Sequence, residues 1–187
     1  MFGLVLSVIL VGALASYFAK YIQDHKWVGY IGLAHYLARQ KVKYDDPKAW
    51  ELVDELSESF QYFLLKASNQ LAEEKGKCEY YDKTKYADDI LPIDTYKKEV
   101  DEICNRKLSR DWDNLRADIK AHGLRNSTLS AQMPSESSSV VSNATNGIEP
   151  PRGYLSIKKS KKGPLKQIVP QYQTLKNHYT LLWDMPS

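Results

Sequence analysis

The chain has two cysteines, four histidines and a net charge of only +3 across 187 residues. Each shortage excludes something. Cys78 and Cys104 are too few for a disulfide framework and form no C-x-x-C pair, so a stapled scaffold and a cysteine zinc site both fail. His25, His35, His122 and His178 are scattered, which argues against a metal cluster. There is no H-E-x-x-H, no G-x-G-x-x-G and no Walker loop. The 26 basic and 23 acidic residues nearly cancel and are dispersed, so charge does not argue for nucleic acid. A hydrophobic content of 43% and a charged content of 26% suit one ordinary globular domain with a real core. Such a chain reads as intracellular and reducing, its start excepted.

That start is "MFGLVLSVILVGALASYFAK". The 18 residues from Phe2 to Ala19 carry no charge, and Lys20 ends the run. The length suits a membrane span, which takes about 17–25 apolar residues. It is long for a signal-peptide core, and it lacks a basic start and a cleavage site. Taken alone, the run is a transmembrane helix, a buried helix or a non-native leader.

Helical patterns follow. "GYIGLAHYLARQKVKY" places Ile31, Ala34, Tyr36, Leu37 and Ala38 near helical periodicity. A stronger pattern starts at Asp46, a natural N-cap, with Pro47 in the first turn, where its missing N–H costs nothing. Trp50, Val53, Leu56, Phe60, Phe63, Leu64, Ala67 and Leu71 then recur every three or four residues as one core-facing stripe, and Lys75-Gly76 supplies the stop. A short helical pattern runs from Thr95 to Ile103. Another has Trp112, Leu115 and Ile119 as its apolar edge and Gly123 as its end. Asp111, Asp113 and Asp118 on that helix read as a solvated face rather than as ligands.

The texture changes at "RNSTLSAQM", β-prone in its middle and running into Pro134. If Pro134 ends a strand, the serine run Ser135-Glu136-Ser137-Ser138-Ser139 opens a helix or turn. There the first N–H groups lack intrahelical partners, the dipole favours an anion, and hydroxyls add adjustable donors. A flexible linker and a phosphate cradle both fit the composition. Asn143, Asn146 and Gly147 beyond it suit tight turns.

"RNSTLSAQMPSESSSVVSNATNGIEPPRGYLSIK", residues 125–158, closely resembles the large-subunit signature of class I ribonucleoside-diphosphate reductase. "FQYFLLKASNQLAEEKG" (60–76), "ILPIDTYKKEVD" (90–101), "DWDNLRADIKAHGLRNSTLSA" (111–131) and "LLWDMP" (181–186) resemble the same family in the same order, and "YIGLAHYLARQKVKY" (30–44) does so more loosely. The likeness covers about residues 28–187. It implies an α/β fold, part of a ten-stranded α/β barrel, helix-rich in its first half, and the apolar run adds an N-terminal helix ahead of it, outside the likeness. The chain then divides into a leader, 1–26, and a barrel fragment, 27–187. The resemblance makes Pro134, Ser135, Glu136, Ser137 and Ser138 the segment that binds the diphosphate of the substrate nucleotide. Ser137 stands where many members have threonine, which keeps the hydroxyl.

The resemblance also implies what is missing. Reduction at the ribose 2′ carbon needs a cysteine that becomes a thiyl radical and a cysteine pair that ends as a disulfide. In the family, the radical cysteine lies upstream of the matching part, and the relay tyrosines and tail cysteines lie downstream. Cys78 and Cys104 fall in no catalytic motif and read as incidental. The expected chain is an internal slice that supplies the diphosphate loop, inactive alone and binding no cofactor. Its expected partners are the remaining large-subunit polypeptide in a large-subunit dimer, a small subunit carrying the radical cofactor, and thioredoxin or glutaredoxin, in the cytoplasm and without nucleic acid. A truncated remnant, or a membrane-anchored, non-catalytic interaction protein resting on residues 1–20, is the alternative.

Overall fold

A computed structural model describes residues 28–104, 106–132, 136–160 and 163–179, with backbone alone for 136–138, 158 and 160. The apolar run of residues 2–19, and the helix expected there, lie outside the described residues, as does "LLWDMP". In chain order the helices are α1 (Leu33–Arg39), α2 (Pro47–Lys75), α3 (Pro92–Thr95), α4 (Glu99–Ile103), α5 (Trp112–His122), α6 (Glu136–Val141) and α7 (Tyr172–Leu175). Two strands, β1 (Leu155–Ser160) and β2 (Gly163–Ile168), form a small antiparallel sheet, and single 3-10 turns lie at Tyr81–Lys83 and Lys176–His178. The result is a helix-rich α/β segment with a small open sheet. Among the described residues, no helix is long and apolar enough to cross a membrane.

The chain falls into two compact units, one comprising residues 50–130 with Val28, the other residues 29–49 and those from 131 onward. The long helix α2 begins where Asp46 and Pro47 place it. The Asp46 carboxylate accepts the Lys48 N–H at 2.8 Å, and its carbonyl accepts the Ala49 N–H at 2.8 Å. It stops at Gly76, which takes a left-handed φ of 82°.

The first unit packs around α2. Leu64, Leu65 and Ala67 meet Trp112, Leu115 and Ile119 of α5, and Tyr81, Leu91, Leu124 and Leu129 close the cluster. Each large apolar side chain buried there contributes about 1.5–3 kcal/mol. The expected stripe needs two corrections. Trp50 is 39% exposed, because the buried Leu52, two residues on and about 200° round the helix, takes the inward position. Polar side chains also share the buried face: Glu58, Ser59, Ser68 and Asn69. The Asn69 amide donates to the carbonyls of Asp118 and Gly123 at 2.9 Å each, tying α2 to the end of α5.

Helix α5 matches its pattern. Asp111 caps it by accepting the Asn114 N–H, Trp112, Leu115 and Ile119 are buried, and Gly123 ends it at φ 74°, ψ −160°. Asp111, Asp113 and Asp118 are exposed. The single helix expected over Thr95–Ile103 is instead two short ones. Pro92 and the Asp94 carboxylate, which accepts the Leu91 N–H at 2.8 Å, start α3 early, and extended backbone at Tyr96 separates it from α4. The strand expected in "RNSTLSAQM" reduces, among the described residues, to one parallel bridge between Val28 and Ser130. A strand needs a partner along its length, and the backbone bond at this bridge runs from the Val28 N–H to the Leu129 carbonyl at 2.9 Å.

In the second unit, α1 is shorter than the pattern of residues 29–44. Gly32 at φ 82° starts it, and Lys41 at φ 60° prevents its continuing. A small cluster joins Ala38, Val169 and Tyr179 with Tyr154 and Leu175. Tyrosine hydroxyls fasten backbone here: Tyr179 donates to the Pro170 carbonyl at 3.2 Å, Tyr154 to Tyr179 at 3.0 Å and Tyr44 to Ile148 at 2.9 Å. In the hairpin, Leu155 pairs with Ile168 and Ile157 with Lys166, so Leu155, Ile157 and Ile168 share one face, and each is more than half exposed. A mostly apolar cavity of about 210 Å³ lies among Leu37, Ala38, Val42, Tyr44, Pro151 and Tyr179.

Candidate functional site

The serine segment meets the structure at α6. The helix opens at Glu136, so Glu136, Ser137 and Ser138 supply its first-turn backbone, while Pro134 and Ser135 lie outside the described residues. Six residues make too short a helix to be stable alone, and its C-terminal end shows how it is held. The Ala144 N–H donates to the Ser139 carbonyl at 2.9 Å, and the Asn143 N–H to the Val140 carbonyl at 3.3 Å. With Asn143 at φ 49°, this is a Schellman closure in which asparagine takes the left-handed position usually given to glycine. The turn role read for Asn143 from the sequence is thus the one it has, and Gly147 at φ 57° turns the chain again.

The turn is then braced from two directions within the same unit. From the start of α1, the Gly32 N–H donates to the Thr145 carbonyl at 2.9 Å and the Leu33 N–H to Gly147 at 3.3 Å. Gly32 also passes close by, since a Cβ there would lie 3.7 Å from the Ala144 Cβ. From β2, Gln167 Nε2 donates to the Ala144 carbonyl at 3.0 Å and to the Ser139 carbonyl at 3.4 Å. Ser139 and Thr145 are buried, and the Thr145 hydroxyl meets no hydrogen-bond partner among the described residues. Sequence reading stopped at the serines and missed Gln167. No signal in "GPLKQI" could have found it, because the segment has no polar–apolar alternation and a sequence does not give the destination of a side chain.

Among the described residues, the most heavily bonded carboxylate lies in the other unit and was also missed. Glu58, on α2, is 6% exposed. Its Oε1 accepts the N–H groups of Ser109 at 2.8 Å and Arg110 at 2.9 Å and the Trp112 indole N–H at 3.0 Å. Its Oε2 takes Arg106 Nη1 at 2.7 Å and the Ser109 hydroxyl at 3.2 Å. Burial pushes its acidity toward the protonated form, but these donors outweigh it and hold the carboxyl below the usual glutamate range. Such a carboxylate, perturbed and buried, is where a search for an active site starts. Here every oxygen is engaged by the protein's own donors, so Glu58 is a structural hub. On the surface, Arg116 pairs with Asp94 at 2.9 Å and with the carbonyl and carboxylate of Asp89, and Lys120 joins Asp89 at 2.7 Å.

The cysteines stay apart from any such chemistry. Cys78 and Cys104 are free thiols, and burial, then the nearby Asp54 and Glu51 carboxylates, push the Cys104 thiol up, toward its unreactive protonated form. His35 bonds Gln171 at 2.9 Å. Among the described residues, no group of three or more His, Cys, Asp or Glu could hold a metal ion.

Comparison with known proteins places this geometry. The family model for the ribonucleotide reductase barrel domain matches residues 24–183. The chain is 58% identical over 160 residues to ribonucleoside-diphosphate reductase 1 subunit alpha of Salmonella typhimurium and to the subunit alpha of Haemophilus influenzae. It is 49% identical over 158 residues to the subunit alpha of Enterobacteria phage T4. These alignments cover 84–86% of this chain but only 21% of each relative, so the chain spans about a fifth of the length of the proteins it matches. Across nearly its whole described length, the chain belongs to the ribonucleotide reductase barrel-domain family.

Proposed function

We propose that the chain supplies the substrate-diphosphate-binding segment, Pro134 to Ser138, of a ribonucleoside-diphosphate reductase that makes deoxyribonucleoside diphosphates for DNA synthesis. The observation that carries the reading is the family match, whose bounds, residues 24–183, include the serine segment. A helix opening at Glu136 supports it, because first-turn N–H groups have no partners inside the helix and such groups can meet an anion. The hydroxyls of Ser135, Ser137 and Ser138 would add donors, and the Glu136 carboxylate would turn away from the bound diphosphate. The surrounding wall would be completed as a ten-stranded barrel by other large-subunit polypeptide, within a large-subunit dimer.

On this reading, the chain binds no cofactor and turns over nothing alone. The radical begins on a cofactor in a small subunit, the thiyl cysteine lies on other large-subunit polypeptide, and thioredoxin or glutaredoxin returns the electrons. The work is done in the cytoplasm.

The test is conversion of CDP to dCDP in a mixture holding polypeptides for the remaining barrel, the small subunit and a thiol reductant, with and without this chain. Activity should depend on the chain. Changing Ser135, Ser137 and Ser138 together to alanine removes charge-assisted bonds worth about 1.5–3 kcal/mol each, and should lower CDP use by well over tenfold. No chain-dependent activity from a folded, soluble chain would overturn the reading.

A further inference from the structure

We infer that the chain associates with copies of itself head to tail, the outer face of the hairpin in one copy docking on an acidic shoulder of the next, formed by α4 and the start of α2. The small net charge of +3 hides an uneven one. From Pro150 to Trp183 stand seven of the chain's 26 basic residues and none of its 23 acidic ones. Residues 50–130 hold 17 acidic and 13 basic residues. Opposite excesses on two parts of one chain attract between copies. Neither face includes residues 134–138, so the inference stands apart from the diphosphate reading.

The basic part carries its charge on an apolar face. In the β1–β2 register, Leu155, Ile157 and Lys159 share a face with Ile168, Lys166 and Pro164. All six are exposed, and Lys159 and Lys166 have no ion-pair partner among the described residues. Branched aliphatic side chains grouped in water mark a contact surface, and the lysines among them ask for an acidic partner. A nucleic acid suits the face poorly, because neither strand has an aromatic ring on which a base could stack.

The acidic part offers such a partner. Glu51, near the start of α2, and Asp101, on α4, both help to push the Cys104 thiol up, so the two helices meet there at one shoulder. Trp50 and Ile103 beside them are 39% and 54% exposed. Glu51, Glu99 and Glu102 are exposed and, among the described residues, without an ion-pair partner. Lys97, Lys98 and Lys107 are their neighbours in sequence, and Lys98 lies over the Tyr96 ring at 3.9 Å. These lysines weaken the acidic field, but the excess over residues 50–130 stays negative.

The two faces differ, so the contact is heterologous and can repeat from copy to copy. It is also small. Two six-residue strands present a face of about 20 Å by 10 Å, which puts the contact among the weak, transient ones below about 1,200 Å². Association should therefore need high concentration and should yield to salt.

The experiment follows sedimentation of the full chain from about 1 to about 200 µM, in about 0.05 M and about 0.5 M NaCl, between which the screening length falls from about 14 Å to about 4 Å. Beside it run Lys159→Glu/Lys166→Glu, Glu51→Lys/Glu102→Lys and an equal mixture of the two. The wild-type average mass should rise with concentration above the 21.4 kDa of one copy at low salt, and return to it at high salt. Each variant alone should associate at least about tenfold more weakly, because like charges then face each other. The mixture should recover association, because every contact again pairs opposite charges. These are surface substitutions, and circular dichroism checks that the variants fold. If the hairpin variant does not, Lys159→Gln/Lys166→Gln should show the same loss.

A wild-type chain that stays at one copy throughout, or a mixture that associates no better than either variant alone, would overturn the inference. Association that is equal in every form and indifferent to salt would do so too, since it would come from another surface. Binding to phosphatidylglycerol vesicles and to single-stranded DNA is measured alongside. Either one, in a chain that does not self-associate, would assign the hairpin an anionic lipid or a nucleic acid in place of a second copy.

Discussion

In the unit of residues 50–130, a carboxylate sits almost wholly out of water with five donors on it. In the unit of residues 29–49 and 131–179, Leu155, Ile157 and Ile168 stand more than half in water on one face of a two-stranded sheet. The first unit is closed by side chains reaching across some fifty positions of sequence, from Glu58 to Arg106, Ser109 and Trp112. The second is organised by backbone turns and single amide or phenol braces. Two strands with an apolar face are marginal in water by themselves. The difference teaches that one family segment can hold both a unit with a self-contained core and a unit that leaves apolar side chains in water. The proposed site lies in the latter.

The sharpest way to break the comparison is at the hub. Glu58→Ala leaves Arg106 and three N–H donors facing a hole, which should cost about 3–5 kcal/mol in urea unfolding followed by circular dichroism. A loss below 1 kcal/mol would mean that the hub does not hold the first unit together. The hub also has a pH signature. The folded carboxyl is held below its unfolded value, so its stabilisation is complete above about pH 4.3 and is lost as pH falls through the lower folded value. Wild-type unfolding midpoints should therefore drop steeply below pH 4, and those of Glu58→Gln should drop less.

Gly123→Ala comes next. At φ 74°, ψ −160° the backbone is in a region open almost only to glycine, and the new Cβ would lie 2.9 Å from the Lys77 Cβ. A loss of about 1–3 kcal/mol is expected in the same unfolding assay, and the strain sets its lower end. In the second unit, Asn143→Ala should cost about 1 kcal/mol, while Asn143→Gly should be neutral or better, because only the left-handed turn is at stake. Equal losses from both would show that the asparagine side chain itself is used.

The smallest effect sharpens the contrast most. Ile157→Thr on the exposed hairpin face should change stability by less than about 0.5 kcal/mol in the isolated chain. If instead it costs more than 1 kcal/mol, the face is covered in solution.

Much of this was legible from local chemistry. Asp46-Pro47 and Gly76 bound α2, and Asp111 and Gly123 bound α5, because caps and stops depend on residues within a turn of the helix end. The helix or turn expected at the serine run is there, since α6 starts at Glu136. Glu58 was not legible, since a glutamate in a helical pattern reads as surface unless its partners are known, and those come from a loop far along the chain. Trp50 failed for a related reason: periodicity gives an arc of positions, and the partners' shape decides which edge of it faces inward. The apparent strand before Pro134 failed because β propensity does not supply a neighbouring strand.

The tyrosines have one more consequence. Tyr44 and Tyr179 in one unit, and Tyr81 in the other, donate their phenol protons to backbone carbonyls, and burial pushes all three above the ordinary tyrosine value. A phenolate cannot donate, and would set a negative charge against the oxygen it had held. The neutral phenol therefore contributes fully below about pH 10 and loses its contribution as pH rises beyond that. Alkali is thus the solvent condition in which the two units, closed so differently, come undone by the same chemistry. The ultraviolet absorbance of tyrosinate would record it as a late, cooperative step behind the gradual ionisation of the exposed rings.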